Sequence, residues 1–157
     1  MNVESVMTRH VWTCSADDSL NTVAQLMWEN DCGAIVVVDS AGKAVGMVTD
    51  RDVCMASYTQ GQPLTNMRVI SAFSHGLVSV REGDNLAVLE ALMQKHRVRR
   101  VPVLNAEGKP VGIVTMNDLA RNAQRGGTRK NGLTPESIVR TLAAVCQPGT
   151  VEAQAAE

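Results

Sequence analysis

The residues of this chain most able to do chemistry are two threonine and aspartate pairs with the same spacing. Thr49 precedes Asp52 by three residues, and Thr115 precedes Asp118 in the same way. A hydroxyl and a carboxylate one helical turn apart can hold the two vicinal hydroxyls of a ribose. The same pattern is also typical of a helix N-cap, since an acid in the first turn favours the helix dipole. On these residues alone capping is favoured, and two copies facing each other would shift the balance towards ribose.

Both pairs belong to an internal duplication. Residues 11–53 align with residues 77–119 at a shift of 66 places without a gap, and 12 of the 43 positions are identical. A repeat of this kind indicates one supersecondary unit that cannot bury its apolar face alone and docks on its copy. A ligand bound where the two copies meet would then have two pseudo-symmetric sites.

Each copy has the hydrophobic pattern of a strand, a helix, a two-strand hairpin and a second helix. The first copy is predicted to have a strand at 11–14, a helix from Leu20, a hairpin at 34–49 and a helix at 50–58. Its first helix could be capped by Asp17, Asp18 or Ser19. The second copy is predicted to have a strand at 77–80, a hairpin at 100–115 and a closing helix from near Asn117.

The 157 residues suit about one domain. The predicted divisions are repeat one at 3–60, a linker at 61–76, repeat two at 77–124, a C-terminal helix at 133–147 and a disordered tail at 148–157. Four linker residues are expected to pack on the core: Met67, Val69, Ile70 and Phe73. Thr134 and Pro135 suit the start of the last helix. That helix could dock on its own core or on a second subunit.

Composition argues against several classes of protein. With 15 basic and 16 acidic residues the formal net charge is −1, and only four residues are aromatic, so nucleic-acid binding is not favoured. The four cysteines form no C-x-x-C pair and the three histidines are scattered, so neither a metal site nor a disulfide framework is expected. We find no nucleophile elbow and no P-loop, and therefore expect no enzyme. Without a signal-peptide core or a membrane-length apolar run, a cytoplasmic location is expected.

The segments that end each repeat resemble the signature of the cystathionine-β-synthase (CBS) domain family. They read V-G-M-V-T-D-R-D at 45–52 and R-V-P-V-L-N-A-E-G-K-P-V-G-I-V-T-M-N-D-L at 100–119, and the resemblance covers roughly residues 3–121. It implies a tandem pair, or Bateman module: an α+β fold of two pseudo-symmetric βαββα repeats packed into one module, here with an extra C-terminal helix. Such modules sense AMP, ADP, ATP or S-adenosylmethionine, require no cofactor, commonly form homodimers and regulate a separate protein. The alternative is a ligand-free module for dimerisation or protein interaction.

The resemblance also implies roles for particular residues. Thr49 and Asp52 would hold one ribose, and Thr115 and Asp118 another. The clefts for the base would be lined by Val11, Thr13, Ala34, Ile35 and Val36 in repeat one, and by Leu77, Ser79, Val101 and Pro102 in repeat two. Phosphates need cations, and the basic run at 95–100 offers Arg99 and Arg100, with Arg9, His10 and Arg51 as further candidates. That run could equally be a solvated helix end.

The two clefts are not expected to be equivalent. Repeat two has Pro102 where repeat one has Val36, and proline fixes the local backbone and removes a donor. Repeat one has Asp50 where repeat two has Met116, and the added negative charge favours a neutral or weakly charged ligand in the first cleft.

Overall fold

The computed structural model describes residues 1–126 and 133–147. The strands are β1 (Thr13–Ser15), β2 (Ala34–Val38), β3 (Ala44–Thr49), β4 (Val80–Arg81), β5 (Arg100–Leu104) and β6 (Pro110–Thr115). The α-helices are α1 (Leu20–Glu29), α2 (Asp50–Gln60), α3 (Leu86–His96), α4 (Met116–Gly126) and α5 (Pro135–Val145). Three short 3₁₀ turns lie at Val3–Ser5, Leu64–Asn66 and Val69–Ser71. The predicted disordered tail at 148–157 lies outside the described residues.

Each repeat has one three-stranded sheet, in the orders β1-β2-β3 and β4-β5-β6. The first strand runs parallel to the central one, and the hairpin partner runs antiparallel to it. Both first strands are shorter than the sequence pattern predicted. Thr13–Ser15 pairs with Val36–Val38, and Val80–Arg81 pairs with Val103–Leu104. In repeat one the Trp12 carbonyl also accepts from the Val36 amide at 3.0 Å.

The helices begin at equivalent caps in the two repeats. Ser19 accepts a hydrogen bond from the Thr22 amide at the start of α1, and Asn85 accepts one from the Ala87 amide at the start of α3. Of the three capping candidates in repeat one, the structure therefore uses Ser19. Helix α2 ends at Gly61, whose φ of 61° lies in the left-handed region that glycine adopts without steric cost.

Each sheet packs its helix-side face into a separate apolar core. Ile35, Val37 and Val48 lie in the core of repeat one, and Val101 and Val103 lie in that of repeat two. Side chains alternate between the faces of a strand. Val36 and Pro102 are therefore on the opposite face, where both are buried. We call this second face of the two sheets the seam.

The segment before each repeat joins the other repeat. The Val3 amide donates to the Asp84 carbonyl at 2.9 Å, and the equivalent Val69 amide donates to the Asp18 carbonyl at the same distance. Further along, Thr8 bridges to Ile113 in β6, and Ser74 bridges to Met47 in β3. We call these segments, residues 1–8 and 67–74, the exchanged arms. They tie the two repeats into one module.

The arms carry apolar anchors into the opposite cores. Val3 and Val6 lie in the core of repeat two, whereas Met67, Val69 and Phe73 lie in that of repeat one. Ile70, also predicted to pack on the core, is 51% exposed. It lies in the 3₁₀ turn of its arm, whose buried residue is Val69.

Helix α5 docks on repeat two of its own chain, against α3 and α4. Ile138 and Val145 enter the core, and the buried hydroxyl of Thr141 accepts from Gln94 Nε2 at 2.8 Å and donates to Glu90 Oε1 at 3.2 Å. Docking on its own core was one of the two alternatives that the sequence left open. The outer face of α5 still exposes Val139 and Leu142.

Candidate functional site

The Thr49 and Asp52 pair forms a complete capping box at the start of α2. Oδ2 of Asp52 accepts hydrogen bonds from the Thr49 amide at 2.8 Å and from the Thr49 hydroxyl at 2.7 Å. The Asp52 amide donates to the Thr49 hydroxyl at 3.3 Å. Within residues 1–126 and 133–147, Oδ1 of this half-buried carboxylate accepts no hydrogen bond. Capping therefore uses one carboxylate oxygen and leaves the other without a hydrogen bond from the described residues.

In the equivalent pair of repeat two, both carboxylate oxygens of Asp118 accept hydrogen bonds. Oδ2 of Asp118 accepts from the amide and the hydroxyl of Thr115 at 2.8 and 2.6 Å. Its Oδ1 accepts from the Arg121 guanidinium at 2.6 Å, and the residue is only 6% exposed. Arg121 was not among the predicted site residues, although it stands one helical turn after Asp118, the spacing at which helical side chains pair. Repeat one has Met55 at the equivalent position, so Asp52 lacks that partner.

The residues predicted to wall the base are divided between the two faces of the sheets. Ala34, Val36 and Pro102 lie on the seam face. Ile35 and Val101 are fully buried in the helix-side cores, because the two-residue period of a strand turns them away from the seam. These two residues therefore cannot line a cleft at the seam.

The outer parts of the predicted clefts are more open. Thr13 is exposed and pairs with Val36 across β1 and β2. Val11, Leu77 and Ser79 are half-buried beside their first strands. The structure thus brings Thr13 next to Val36 while leaving it accessible to solvent.

A crevice of about 500 Å³ lies between the end of α1 and the start of α2. We call it crevice one, and it is lined by Met27, Trp28, Asp31, Cys32, Gly33, Asp50 and Arg100. Arg100 belongs to β5 of repeat two and reaches across to repeat one, where its guanidinium lies 3.9 Å from the Asp50 carboxylate. Among the residues predicted for the site, Arg100 is the one that lines this crevice. Crevices of this size suit drug-sized ligands.

The loop between α1 and β2 places the thiol of Cys32 in the lining of crevice one. Burial raises the pKa of Cys32 above its usual value, and the Asp31 carboxylate acts in the same direction. A backbone hydrogen bond with Ala34 and the positive charge of Arg100 lower that pKa. Cys32 and Arg100 both line crevice one.

A second crevice of about 500 Å³ lies at the hairpin tips. Its lining residues are Lys43, Ser79, Val80, Arg81, Asp84 and the residues at 104–108. Here the Ala44 amide donates to the Gly108 carbonyl at 3.0 Å, which joins the two hairpins directly. Ser79 is the predicted base-cleft residue found in this lining.

The other predicted phosphate ligands line neither crevice. Arg9 pairs with Glu4 at 2.7 Å on its own arm, and the ring of His10 packs edge-on against Trp12 with centroids 4.4 Å apart. Arg51 and Arg99 are exposed. Arg100 is therefore the predicted cation with the best-defined pocket.

Two further properties concern the described residues alone. Across residues 1–126 and 133–147, no three His, Cys, Asp or Glu side chains cluster as a metal ion would require. Over the same residues, no helix has the length and apolar character of a membrane span.

Comparison with known proteins settles the family. A family model described as CBS domain matches residues 3–58 and 70–125. The chain belongs to the CBS domain family. The resemblance and the fold class expected from the sequence, α+β with two repeats, are confirmed.

The matches to this CBS domain protein described next cover nearly the whole length of the similar chain. The CBS domain-containing protein YhcV of Bacillus subtilis is 34% identical over 133 residues, which is 85% of this chain and 93% of YhcV. The CBS-domain containing protein ATU1752 from Agrobacterium tumefaciens has a structure with a TM-score of 0.69 and 27% identity, covering 77% of this chain and 98% of that one. The CBS domain pair of protein MJ0100, solved with 5′-methylthioadenosine and S-adenosyl-L-methionine, has a TM-score of 0.70 at 22% identity, covering 77% of this chain and 98% of that one. At that identity the last likeness concerns the fold.

Proposed function

We propose that this CBS domain pair is a regulatory module that binds an adenosine compound at repeat one and signals to a separate partner protein. The observation that carries the proposal is the open Oδ1 of Asp52, beside a Thr49 hydroxyl at the start of α2. A ribose could donate one hydroxyl to that oxygen without disturbing the cap. Asp118 offers no such oxygen because Arg121 occupies it.

The surroundings of Asp52 support a ligand that touches both repeats. Asp50, two residues before it, lines crevice one together with Arg100 of repeat two. The MJ0100 pair, which has the same fold, holds adenosine compounds in its structure. A ligand that contacts Thr49 and Arg100 together would favour one relative angle of the two repeats, and a partner could recognise that angle.

The test is the melting temperature of the full chain with AMP, ATP, S-adenosylmethionine and 2′-deoxy-AMP. A ligand that binds only the folded state at about 100 times its Kd adds about 2.7 kcal/mol to the free energy of unfolding. For a chain of this size that raises the melting temperature by roughly 5–10 °C. We expect the ribose compounds to give such a shift and the deoxyribose analogue to give less.

The matched variants are Asp52→Ala and Ser137→Ala. Both remove the N3 side chain of a capping box, but the box of Ser137 begins α5 and lies away from crevice one. Asp52→Ala should lose the ligand-induced shift, whereas Ser137→Ala should keep it. If no adenosine compound raises the melting temperature of the wild-type chain, the sensing function is wrong.

The second candidate function is assembly, as a homodimer or on a partner, without a ligand. The exposed apolar residues of two helices favour it: Met55 and Tyr58 on α2, and Val139 and Leu142 on α5. Such residues on a helix surface mark contact sites when they form a patch. Light scattering on the wild-type chain and on Tyr58→Ala and Leu142→Ala would give the mass. A monomer at all concentrations would exclude self-association.

A further inference from the structure

The guanidinium of Arg100 lines crevice one with its hydrogen-bond donors unused within the described part of the chain. Its side chain is 33% exposed, and among the described residues it donates no hydrogen bond. The nearest carboxylate oxygen, on Asp50, is 3.9 Å away, which is beyond hydrogen-bond distance. A guanidinium has five donors in a planar fork that matches a carboxylate or a phosphate. Crevice one therefore presents a preformed site for a planar or tetrahedral anion.

The other charges in the crevice limit that anion. Asp31 and Asp50 both line crevice one, so with Arg100 the formal charge of its lining is −1. A polyphosphate on Arg100 would face two carboxylates at close range. A group with one negative charge and a positive charge beside it would instead satisfy the arginine and an aspartate together. A zwitterion meets this requirement.

Trp28 supplies an aromatic wall to the same crevice. Its side chain is 88% exposed on the last turn of α1, so core packing does not explain an indole at this position. The equivalent residue in repeat two is Gln94, which holds α5 through Thr141. An indole face attracts a cation through its quadrupole, and it also packs against a flat or apolar group.

Gly33 makes the charged pair possible. A Cβ at this position would lie 2.6 Å from Asp50 Oδ2 and 2.7 Å from the Arg100 guanidinium. The backbone of Gly33 also accepts the amide of Asp50 at 3.2 Å, which fixes the start of α2 against the crevice. Carboxylate and guanidinium are thus held on a surface with no side chain between them.

We propose that crevice one binds the α-amino-acid tail of an adenosine ligand, with the carboxylate on Arg100 and the ammonium on Asp50 or Asp31. A positive charge within that tail, such as a sulfonium, packs on Trp28. The inference rests on the proposed function, because the adenosine part would occupy the neighbouring Thr49 and Asp52 pair. It selects ligands with a zwitterionic tail over ligands with a phosphate chain.

The experiment is calorimetric titration of the full chain with S-adenosylmethionine, S-adenosylhomocysteine, 5′-methylthioadenosine and ATP. Methylthioadenosine has the adenosine and the sulfur but not the amino-acid tail, so the ratio of its Kd to that of a tailed compound isolates crevice one. We expect a ratio of about 10 or more, the factor given by roughly 1.4 kcal/mol. In Arg100→Ala the ratio should fall to about one, and in Lys95→Ala, which removes an exposed charge outside the crevice, it should be retained.

A second pair of variants tests the aromatic wall. Trp28→Ala should reduce the preference for S-adenosylmethionine over S-adenosylhomocysteine, which has the same zwitterionic tail but a sulfur without charge. Tyr58→Ala, which removes an exposed ring on α2, should not reduce it. Thermal melts of the unliganded variants identify any loss of folding.

The outcomes separate the inference from the proposed function. Equal affinity for methylthioadenosine and the tailed compounds would overturn the zwitterion site and leave the adenosine function standing. If ATP binds more tightly than the tailed compounds and Arg100→Ala removes that preference, crevice one binds phosphate and the inference is overturned. Failure of all four compounds to bind would overturn the proposed function and the inference with it.

Discussion

At the scale of residues, the two equivalent aspartates have different surroundings. Asp118 is buried with both oxygens bonded, whereas Asp52 is half-buried with one oxygen bonded. The Thr-x-x-Asp motif is therefore fully hydrogen-bonded in repeat two, whereas in repeat one the described residues bond only one oxygen of Asp52.

Alanine at each aspartate should show this difference in the free energy of unfolding. Asp52→Ala removes a cap and should cost about 1 kcal/mol. Asp118→Ala removes a cap and also the charged hydrogen bond from Arg121, so we expect about 2–3 kcal/mol. Urea unfolding of the two variants measures both values. A loss at Asp52 equal to that at Asp118 would contradict the assignment.

Cys14 should make the fold sensitive to alkaline pH. Burial, with a smaller contribution from the Asp18 carboxylate, raises the pKa of this thiol from 9.0 to about 12. The unfolded chain loses the proton first, so the stability is complete below about pH 9 and is lost as pH rises to about 12. The slope approaches about 1.4 kcal/mol per pH unit.

Urea unfolding between pH 8 and 11 measures that slope. We expect it to be shallower in Cys14→Ala than in the wild-type chain and unchanged in Cys54→Ala, since Cys54 is exposed. Equal slopes in the wild type and Cys14→Ala would show that another group is responsible.

At the scale of elements, α5 is an amphipathic helix whose inner face completes repeat two. Its inner residues Ile138 and Val145 are buried, and Thr141 is bonded to α3. Repeat one has Ala24 and Trp28 where α3 has Glu90 and Gln94, the two residues that bond to Thr141. Specific polar contacts therefore assign α5 to repeat two.

Neighbouring substitutions in α5 should have unequal effects. Ile138→Ala removes a buried side chain and should cost about 2–5 kcal/mol. Val139→Ala, one residue further on and 65% exposed, should change the free energy of unfolding by less than about 0.5 kcal/mol. Thermal or urea unfolding compares the two variants. Equal effects would mean that α5 does not dock on this face.

At the scale of the whole molecule, the exchanged arms make each repeat depend on the segment that precedes the other repeat. Val3 is fully buried in the core of repeat two, and Val69 is fully buried in that of repeat one. The core of each repeat therefore contains residues from the segment that precedes the other repeat.

Truncating each anchor should loosen the repeat that receives the arm. Val3→Ala should lower the hydrogen-exchange protection of β5 and β6, and Val69→Ala should lower that of β2 and β3. Each variant is the control for the other. Each substitution should cost about 1.5–3 kcal/mol, the value of one buried valine. Loss of protection in β2 and β3 for Val3→Ala, or in β5 and β6 for Val69→Ala, would contradict the exchange of arms.

The sequence by itself determined the repeat, the order of helices and strands, the hairpins and the threonine caps of α2 and α5. These follow from period, turn residues and spacing, which are local properties of the chain. It also put forward Thr49 and Asp52 from a spacing that occurs in both repeats, and Arg100 as one of five candidate cations.

Only the tertiary structure decided which of these groups are open and which face they occupy. A strand alternates its side chains, so Ile35 and Val36 are similar in sequence but lie on opposite faces of the sheet. Arg121 donates to the second oxygen of Asp118, and the exchanged arms bond to the other repeat. Trp28 and Asp31 line crevice one together with Arg100. Each of these contacts joins residues by docking rather than by spacing along the chain, and docking is set by the packing of all the elements at once.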